Sequence, residues 1–327
     1  MRAWRVAELG EPRDVMSLEE LDVPTPSESQ ILVRVLAAAA NFPDVLMCRG
    51  LYQVKPPLPF TPGVELCGEV VAVGSKNQEF KPGDRVLGSS SLPSGGFGEF
   101  ALMEATRTFS APDVLDDAEA ASFYIGYQTG WFGLHHRAHL QPGETLLVHA
   151  AAGGVGSGAV QLGKAIGARV IGVVGGPAKA EVARELGADV VVDRHREDFV
   201  EVVKEITGGR GADVVYDPVG GEAYQRSTKC ISFEGRILII GFAGGEIQSA
   251  PLNHALIKNY SIVGLHWGLY AKENPALMRE CHEELCKLAA KGAIKPLVSE
   301  RLSLDAMADG LQRLADGSTV GRVVLVS

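Results

Sequence analysis

The sequence predicts an α/β protein in which a parallel-sheet domain is inserted into a β-rich one. Three observations predict it. The first third is a series of short β-rich runs separated by glycine and proline. From Gly143 onward, apolar strand runs alternate with amphipathic helical runs. After about residue 265 the alternation stops, and the chain closes on a β run, Gly321–Ser327. Regular short strands with Gly/Pro punctuation predict a partly closed barrel or sandwich, and apolar strands alternating with helices predict βαβ units.

The elements follow in order. Residues 1–9, 30–40, 64–74, 83–88 and 96–103 read as strands, with Pro24, Pro26, Pro62, Gly63, Pro82 and Gly83 marking turns between them. Residues 118–134 have helical spacing. Then come strand 144–150, helix 155–167, strand 168–174, helix 178–187, strand 189–193, helix 199–209, and strands at 213–217 and 235–242. Gly187 suits a helix end, because glycine takes the left-handed conformation without a Cβ penalty. Residues 274–292 form an amphipathic helix. The expected division is a β domain of residues 1–120 completed by 265–327, with the α/β domain at 121–264.

Length and charge narrow the function classes. A chain of 327 residues with 46% hydrophobic and 22% charged residues suits two globular cores. A formal net charge of −9 disfavours phosphate backbones and anionic membranes as partners, so neither nucleic acid nor membrane is expected. The N-terminal run lacks the apolar core of a secretory signal, and no run of about 18 apolar residues occurs without a charge. A cytoplasmic protein is the default expectation. The five cysteines, irregularly spaced, read as buried small hydrophobes.

Strand 144–150 runs into Ala150-Ala151-Ala152-Gly153-Gly154-Val155-Gly156 and then into a helix. This is the setting of a dinucleotide fingerprint, in which glycines allow a tight turn and close backbone approach while the helix N-terminus offers free N–H groups to a pyrophosphate. Ala151 stands where the first glycine is usual. Ala152, Gly153, Gly154, Val155 and Gly156 are the expected cofactor contacts. The next strand ends Val174-Gly175-Gly176 without the acid that bonds a ribose 2′-hydroxyl, which permits a 2′-phosphate and hence NADPH. Lys179, in the first turn of the following helix, and Arg194, after the third strand, are candidate partners for that phosphate, beside Gly175.

These motifs, with Asn41-Phe42-Pro43-Asp44, Tyr52, Pro59-Phe60-Thr61-Pro62-Gly63-Val64-Glu65 and the glutamine-lysine pattern of helix 155–167, resemble the medium-chain dehydrogenase/reductase superfamily. The similarity is greatest to its zinc-free, zeta-crystallin-like NADPH:quinone oxidoreductase branch. The resemblance spans essentially the whole chain. It implies a GroES-like β-barrel domain holding an inserted Rossmann domain, a cleft between them, and a homodimer. Zinc-dependent members place Cys and His ligands where this sequence has Asn41 and Val64, and the cysteines of their structural zinc lobe are missing, so no metal is expected. His135, His136 and His139 read as a solvated helix end, and Cys281, His282 and Cys286 as parts of an amphipathic helix.

The resemblance implies that Asn41, Asp44, Tyr52 and Thr129 surround nicotinamide and substrate. Asn41 is expected to offer an amide N–H to a carbonyl oxygen. Tyr52 offers a phenol or a stacking face, Thr129 abuts the nicotinamide, and Asp44 orients neighbours or relays protons. Gly241 and Phe242, after strand 235–240, are expected to flank the nicotinamide, and Asn253 and Arg322 are weaker cofactor candidates. Without zinc as electrophile, a quinone is the favoured acceptor, since its product is aromatic and proximity supplies much of the acceleration. The alternatives are NADPH-dependent reduction of an enone or enoyl-CoA, and, in another class, a non-catalytic RNA-binding or structural protein of the zeta-crystallin kind.

Overall fold

The computed structural model describes residues 1–327. The chain divides into two units, Met1–Ile125 with Lys295–Ser327, and Gly126–Ile294. The strands are β1 (Arg2–Val6), β2 (Met16–Glu20), β3 (Gln30–Ala39), β4 (Glu65–Val73), β5 (Arg85–Ser90), β6 (Phe100–Ser110), β7 (Thr145–His149), β8 (Arg169–Val174), β9 (Val190–Asp193), β10 (Ala212–Asp217), β11 (Ile231–Ile239), β12 (Ser261–Gly264), β13 (Val298–Leu302) and β14 (Arg322–Val326). The α-helices are α1 (Pro12–Val15), α2 (Phe42–Cys48), α3 (Asp117–Ala121), α4 (Tyr124–Trp131), α5 (Gly154–Ile166), α6 (Pro177–Glu185), α7 (Phe199–Ile206), α8 (Glu222–Ser227), α9 (Leu252–Lys258), α10 (Tyr270–Glu273), α11 (Pro275–Ala290) and α12 (Met307–Ala315).

In the first unit, β3, β4, β5 and β6 pair in sequence, and β3 also pairs with β6, which closes the barrel. The tail enters this sheet as β14, antiparallel to β3 with Val324 opposite Ala39. The inward residues of these strands, among them Ile31, Val33, Val35, Leu66, Val86 and Met103, form one apolar core with Leu311, Val323 and Leu325 from the tail. The β-rich first third and its completion by the C-terminus are as the sequence predicts.

The second unit is built on a six-stranded sheet of order β12-β11-β10-β7-β8-β9. All its pairings are parallel. The order reverses direction between β7 and β10, and open α/β sheets bind ligands at such a switch point, beyond the carboxyl ends of the strands. β7 and β10 are buried along their whole length, as the centre of a sheet covered on both faces must be. Helix α5 ends at Gly167, φ +92°, and Gly187 follows α6 at φ +100°, so both glycines stop helices in the left-handed conformation.

The boundaries differ from the expected ones, most at the C-terminal side. Residues 265–294 belong to the α/β unit, not to the barrel. Helix α11 is held there by Glu284, which accepts from Trp131 Nε1 at 2.9 Å, and the preceding helix by stacking of Tyr270 on Phe132, with ring centroids 4.3 Å apart. Such side-chain partners carry no periodic signal. His135 and His139 are exposed, Cys281 and His282 are buried, and Cys286 is half-buried. No helix is long and apolar enough to cross a membrane.

Candidate active site

In the α/β unit the chain leaves β7 through Ala150, φ +50°, and folds back so that Gly153 N–H donates to Ala150 O at 2.8 Å. Gly156 passes so close that a Cβ there would lie 2.1 Å from the same oxygen. Only glycine fits. Ala151, at the usual first-glycine position, is buried, and its methyl group is accommodated by Gly172 on β8, where a Cβ would come within 2.9 Å. Gly153 is the N-cap of α5 and supplies no side-chain cap, and no acid stands in the first turn. The first amides of α5 thus keep their anion-binding capacity, on half-buried Gly153, Gly154 and Val155.

Next to this loop, Gly175 packs against the side chains that follow β9. A Cβ at Gly175 would meet His195 Nε2 at 3.0 Å and Arg194 Nε at 3.2 Å. Lys179 is close enough that Arg194, after burial, lowers its pKa. Asp193 turns back into the protein: its Oδ1 accepts from the backbone N–H of Gly176 at 2.9 Å and of His195 at 3.1 Å. The structure therefore brings Gly175, Lys179 and Arg194 together, and adds His195, which the sequence reading missed. Two mutually repelling cations at the end of β8 suit a phosphate.

At the ends of β10 and β11, Asp217 Oδ1 accepts from the N–H groups of Val219 and Gly220. Phe242, 37% exposed, lies over Gly220, where a Cβ would come within 2.8 Å of its ring. Gly241 and Phe242 thus stand at the carboxyl edge of the sheet, as expected. Asn253 is exposed on α9, beside the edge strand β12 with β11 between it and β10. Thr129 is buried on α4, which lies on the first turns of α5. Glycines permit that approach: a Cβ at Gly126 would lie 3.1 Å from Gly154 O, and one at Gly130 2.6 Å from Leu162.

The barrel unit holds a second group of candidates. Register places Glu65 of β4 and Val324 of β14 on either side of Ala39, so Asn41 emerges between Glu65 and Arg322. Asn41 Nδ2 donates to Ala39 O at 3.1 Å and to Glu65 Oε2 at 2.9 Å. Its Oδ1 accepts from Arg322 Nη1 at 3.0 Å. Arg322 Nη2 also pairs with Glu65 Oε2. Both amide N–H groups of Asn41 are therefore engaged, and the residue is 4% exposed. It does not hold an N–H out to a substrate carbonyl as the sequence reading expected.

Asp44 is likewise enclosed. Its Oδ1 accepts from Gly63 N–H at 2.9 Å and Val64 N–H at 3.0 Å, and its Oδ2 from Asn41 N–H at 2.9 Å. Burial pushes its pKa up to about 7 against these donors and the Arg322 charge. The carboxylate staples the Asn41 turn to the Gly63–Val64 turn. Arg322, expected near the cofactor, is 4% exposed and bound to Asn41 and Glu65. Tyr52 is the half-buried member, with its phenol pKa raised by burial and by the nearby Asp44 charge. Arg322 had a sequence signal as the lone charge opening an apolar strand, whereas Glu65 shares its strand with Glu69 and was missed.

Comparison with known proteins follows the same division. The alcohol dehydrogenase GroES-like domain family matches residues 27–113, and the zinc-binding dehydrogenase family matches residues 154–283. The chain is 40% identical to quinone oxidoreductase-like protein 2 homolog of Nematostella vectensis, over 99% of this chain and 88% of that one. It superposes on the Escherichia coli quinone oxidoreductase complexed with NADPH at 32% identity, with a TM-score of 0.92 and full coverage of both chains. It also matches the CurK enoyl reductase at 27% identity, with a TM-score of 0.88, over 99% of this chain and 98% of that one. The barrel joined by the tail, the inserted sheet with its glycine loop and these full-length matches together place the chain in the quinone oxidoreductase branch of the medium-chain dehydrogenase/reductase superfamily.

Proposed function

We propose that the protein is a metal-independent, NADPH-dependent oxidoreductase that passes a hydride to a quinone. The observation that carries the reading is the glycine cradle of Ala150–Gly156 opening onto an uncapped α5, with Lys179 and Arg194 at the neighbouring strand end. In this reading Ala152, Gly153, Gly154, Val155 and Gly156 hold the pyrophosphate, and Gly175, Lys179, Arg194 and His195 hold the 2′-phosphate. Gly241, Phe242 and Thr129 bound the nicotinamide, which when bound supplies the hydride. Asn253 is left out of the proposed set.

Metal independence is supported by the barrel cluster. Where the zinc-dependent resemblance would put a thiolate, Asn41 is bonded to the Arg322 guanidinium. A fixed cation there opposes a second one, and an amide and a valine are poor zinc ligands. The same geometry favours a quinone over an enone. An enone needs a donor at its carbonyl oxygen, and the Asn41 amide is engaged, which leaves Tyr52 as the available phenol. A homodimer is also part of this proposal. Its support is the edge strand β12 and the neighbouring α9, where Leu252, Leu256 and Ile257 are at least 70% exposed.

The test is steady-state oxidation of NADPH with 1,4-benzoquinone, crotonyl-CoA and an alkenal, before and after treatment with a chelator. Quinone turnover that survives chelation is expected. The enoyl reductase reading, which the CurK likeness favours, replaces this one at a preference of about a hundredfold for crotonyl-CoA. Loss of activity with the chelator and its return with zinc would overturn metal independence.

A further inference from the structure

Asp193 lies beneath the cations proposed for the 2′-phosphate, and its carboxylate bonds to both sides of that pocket. It ends β9, in register with Val174 at the end of β8. The residue is 7% exposed, whereas Arg194, His195 and Arg196 after it are exposed. Its Oδ1 accepts from Gly176 N–H at 2.9 Å and from His195 N–H at 3.1 Å. Gly176 is the N-cap of α6, at φ +94°, and supplies no side-chain cap. Oδ2 lies 3.8 Å from Arg196 Nε. The Gly176 donor, and after it the His195 donor, hold the carboxyl below the usual carboxylate range.

We infer that Asp193 is a positioning residue for coenzyme choice: it ties the Gly175–Gly176 turn to the Arg194–His195 segment and so sets the width of the 2′-phosphate pocket. The inference rests on the NADPH reading above. The charge of Asp193 works against such a pocket, because a carboxylate among cations weakens the field that attracts a phosphate. What its Oδ1 holds accounts for the acid instead. The strand ladder ends nearby, where Arg194 N–H donates to Val174 O at 2.9 Å. The two Asp193 bonds carry the tie past the strand ends, to Gly176 on one side and His195 on the other. The space between these sides is narrow: a Cβ on Gly175 would lie 3.0 Å from His195 Nε2 and 3.2 Å from Arg194 Nε. Bonds to a phosphate are short and directional, so a shift of either side spoils them.

The experiment titrates NADPH and NADH into the full-length parent and its Asp193 variants. Charge and tether predict opposite signs. Asp193→Ala removes both, and with the tether dominant its NADPH affinity should fall by about tenfold. NADH affinity should stay within about threefold of the parent's, since that coenzyme has no 2′-phosphate to place. Asp193→Asn removes the charge and keeps an oxygen for the two N–H groups, so its NADPH affinity should match or exceed the parent's. Amide hydrogen exchange at Gly176 and His195, read without coenzyme, should quicken in Asp193→Ala and not in Asp193→Asn.

NADPH affinity in Asp193→Ala equal to or above the parent's overturns the inference, because the acid then acts through its charge alone. Equal losses for the two coenzymes overturn it as a general loosening of the fold. Equal losses in the alanine and asparagine variants overturn it in favour of Oδ2 and Arg196. Parental exchange in Asp193→Ala removes the tether itself. A parent that binds NADPH and NADH alike instead removes the 2′-phosphate reading, and with it the pocket the tether shapes. Should Asp193→Ala not fold, Asp193→Glu keeps the charge and moves the acceptor by one methylene. It should lose NADPH affinity relative to NADH, and parental selectivity in that variant overturns the inference.

Discussion

The two groups of candidate residues are built on opposite principles. At the α/β loop, the helix start meets no side-chain cap: Gly153 caps α5 with no side chain, and Gly156 passes the Ala150 carbonyl with no room for a Cβ. In the barrel, side chains bond one another: Asn41, Asp44, Glu65 and Arg322 are buried and mutually bonded, with Arg322 Nε the guanidinium nitrogen left without a partner. The difference teaches that polar residues gathered at one place need not all face a ligand. An open set of donors can bind an anion, whereas a closed set holds a shape. In a low-dielectric interior an unpartnered group is costly, which makes Arg322 Nε the weak point of the closed set.

The sharpest way to break this comparison is at Gly156. Gly156→Ala places a methyl group 2.1 Å from Ala150 O. The loop must open, at a cost of about 3 kcal/mol or more. NADPH is then expected to give no stabilisation in a thermal shift, while the barrel cluster stays intact. Normal coenzyme affinity in this variant would show that the loop is not the cradle. Lys179→Glu comes next. Charge-assisted bonds contribute about 1.5–3 kcal/mol, so NADPH affinity should fall by roughly ten- to a hundredfold, with NADH changed far less. Parallel titrations of the two coenzymes check this, and equal losses would remove Lys179 from the 2′-phosphate site.

Proton linkage separates the two units without any ligand. Asp44 in the barrel has its pKa raised by burial to about 7. The folded form holds the proton more tightly than the unfolded chain, so this contribution is present at low pH and is lost as pH rises through about 7. His149, at the end of β7, is pulled down by burial to about 4. Its contribution is present above the unfolded pKa of about 6.5 and is lost as pH falls towards 4. The two slopes oppose each other over the same window, each bounded by about 1.4 kcal/mol per pH unit. Denaturant unfolding across that range should show the margin of parent over Asp44→Asn shrinking as pH rises, and the margin over His149→Gln growing. Slopes of the same sign would contradict the burial of one of the two groups. At neutral pH Asp44→Asn should also cost about 1–3 kcal/mol, because an amide nitrogen cannot accept from Asn41 N–H.

Legibility followed the same line between backbone and side chain. Gly153, Gly154, Gly156 and Gly175 could be read because a glycine's use is local: it marks a place where the chain must turn or where something comes close. The strand order that puts their loop at a switch point follows from apolar runs and helix periodicity. Asn41, Asp44 and Arg322 could be named from the resemblance, but their tasks could not be read. Which partner an amide takes depends on strand register across β14, β3 and β4, and no spacing along the sequence records it. Residues 265–294 were assigned to the wrong unit for the same reason, since the Trp131–Glu284 bond that holds α11 links positions with no shared period.

The smallest expected effect tests whether the imperfect fingerprint is a defect. The first glycine of the pattern is Ala151, which is fully buried with its methyl group in the space that Gly172 leaves on β8. The left-handed turn is made one residue earlier, by Ala150 at φ +50°, so the backbone at Ala151 does not require glycine. Ala151→Gly should leave NADPH affinity within about twofold and cost about 0.5–1 kcal/mol of stability through the more flexible unfolded chain. Ala150→Gly should do the reverse and stabilise, because it relieves a left-handed alanine. A marked gain in coenzyme affinity from Ala151→Gly would mean that the methyl group limits the approach of the pyrophosphate. The cradle would then be narrower than the contact between Ala151 and Gly172 indicates.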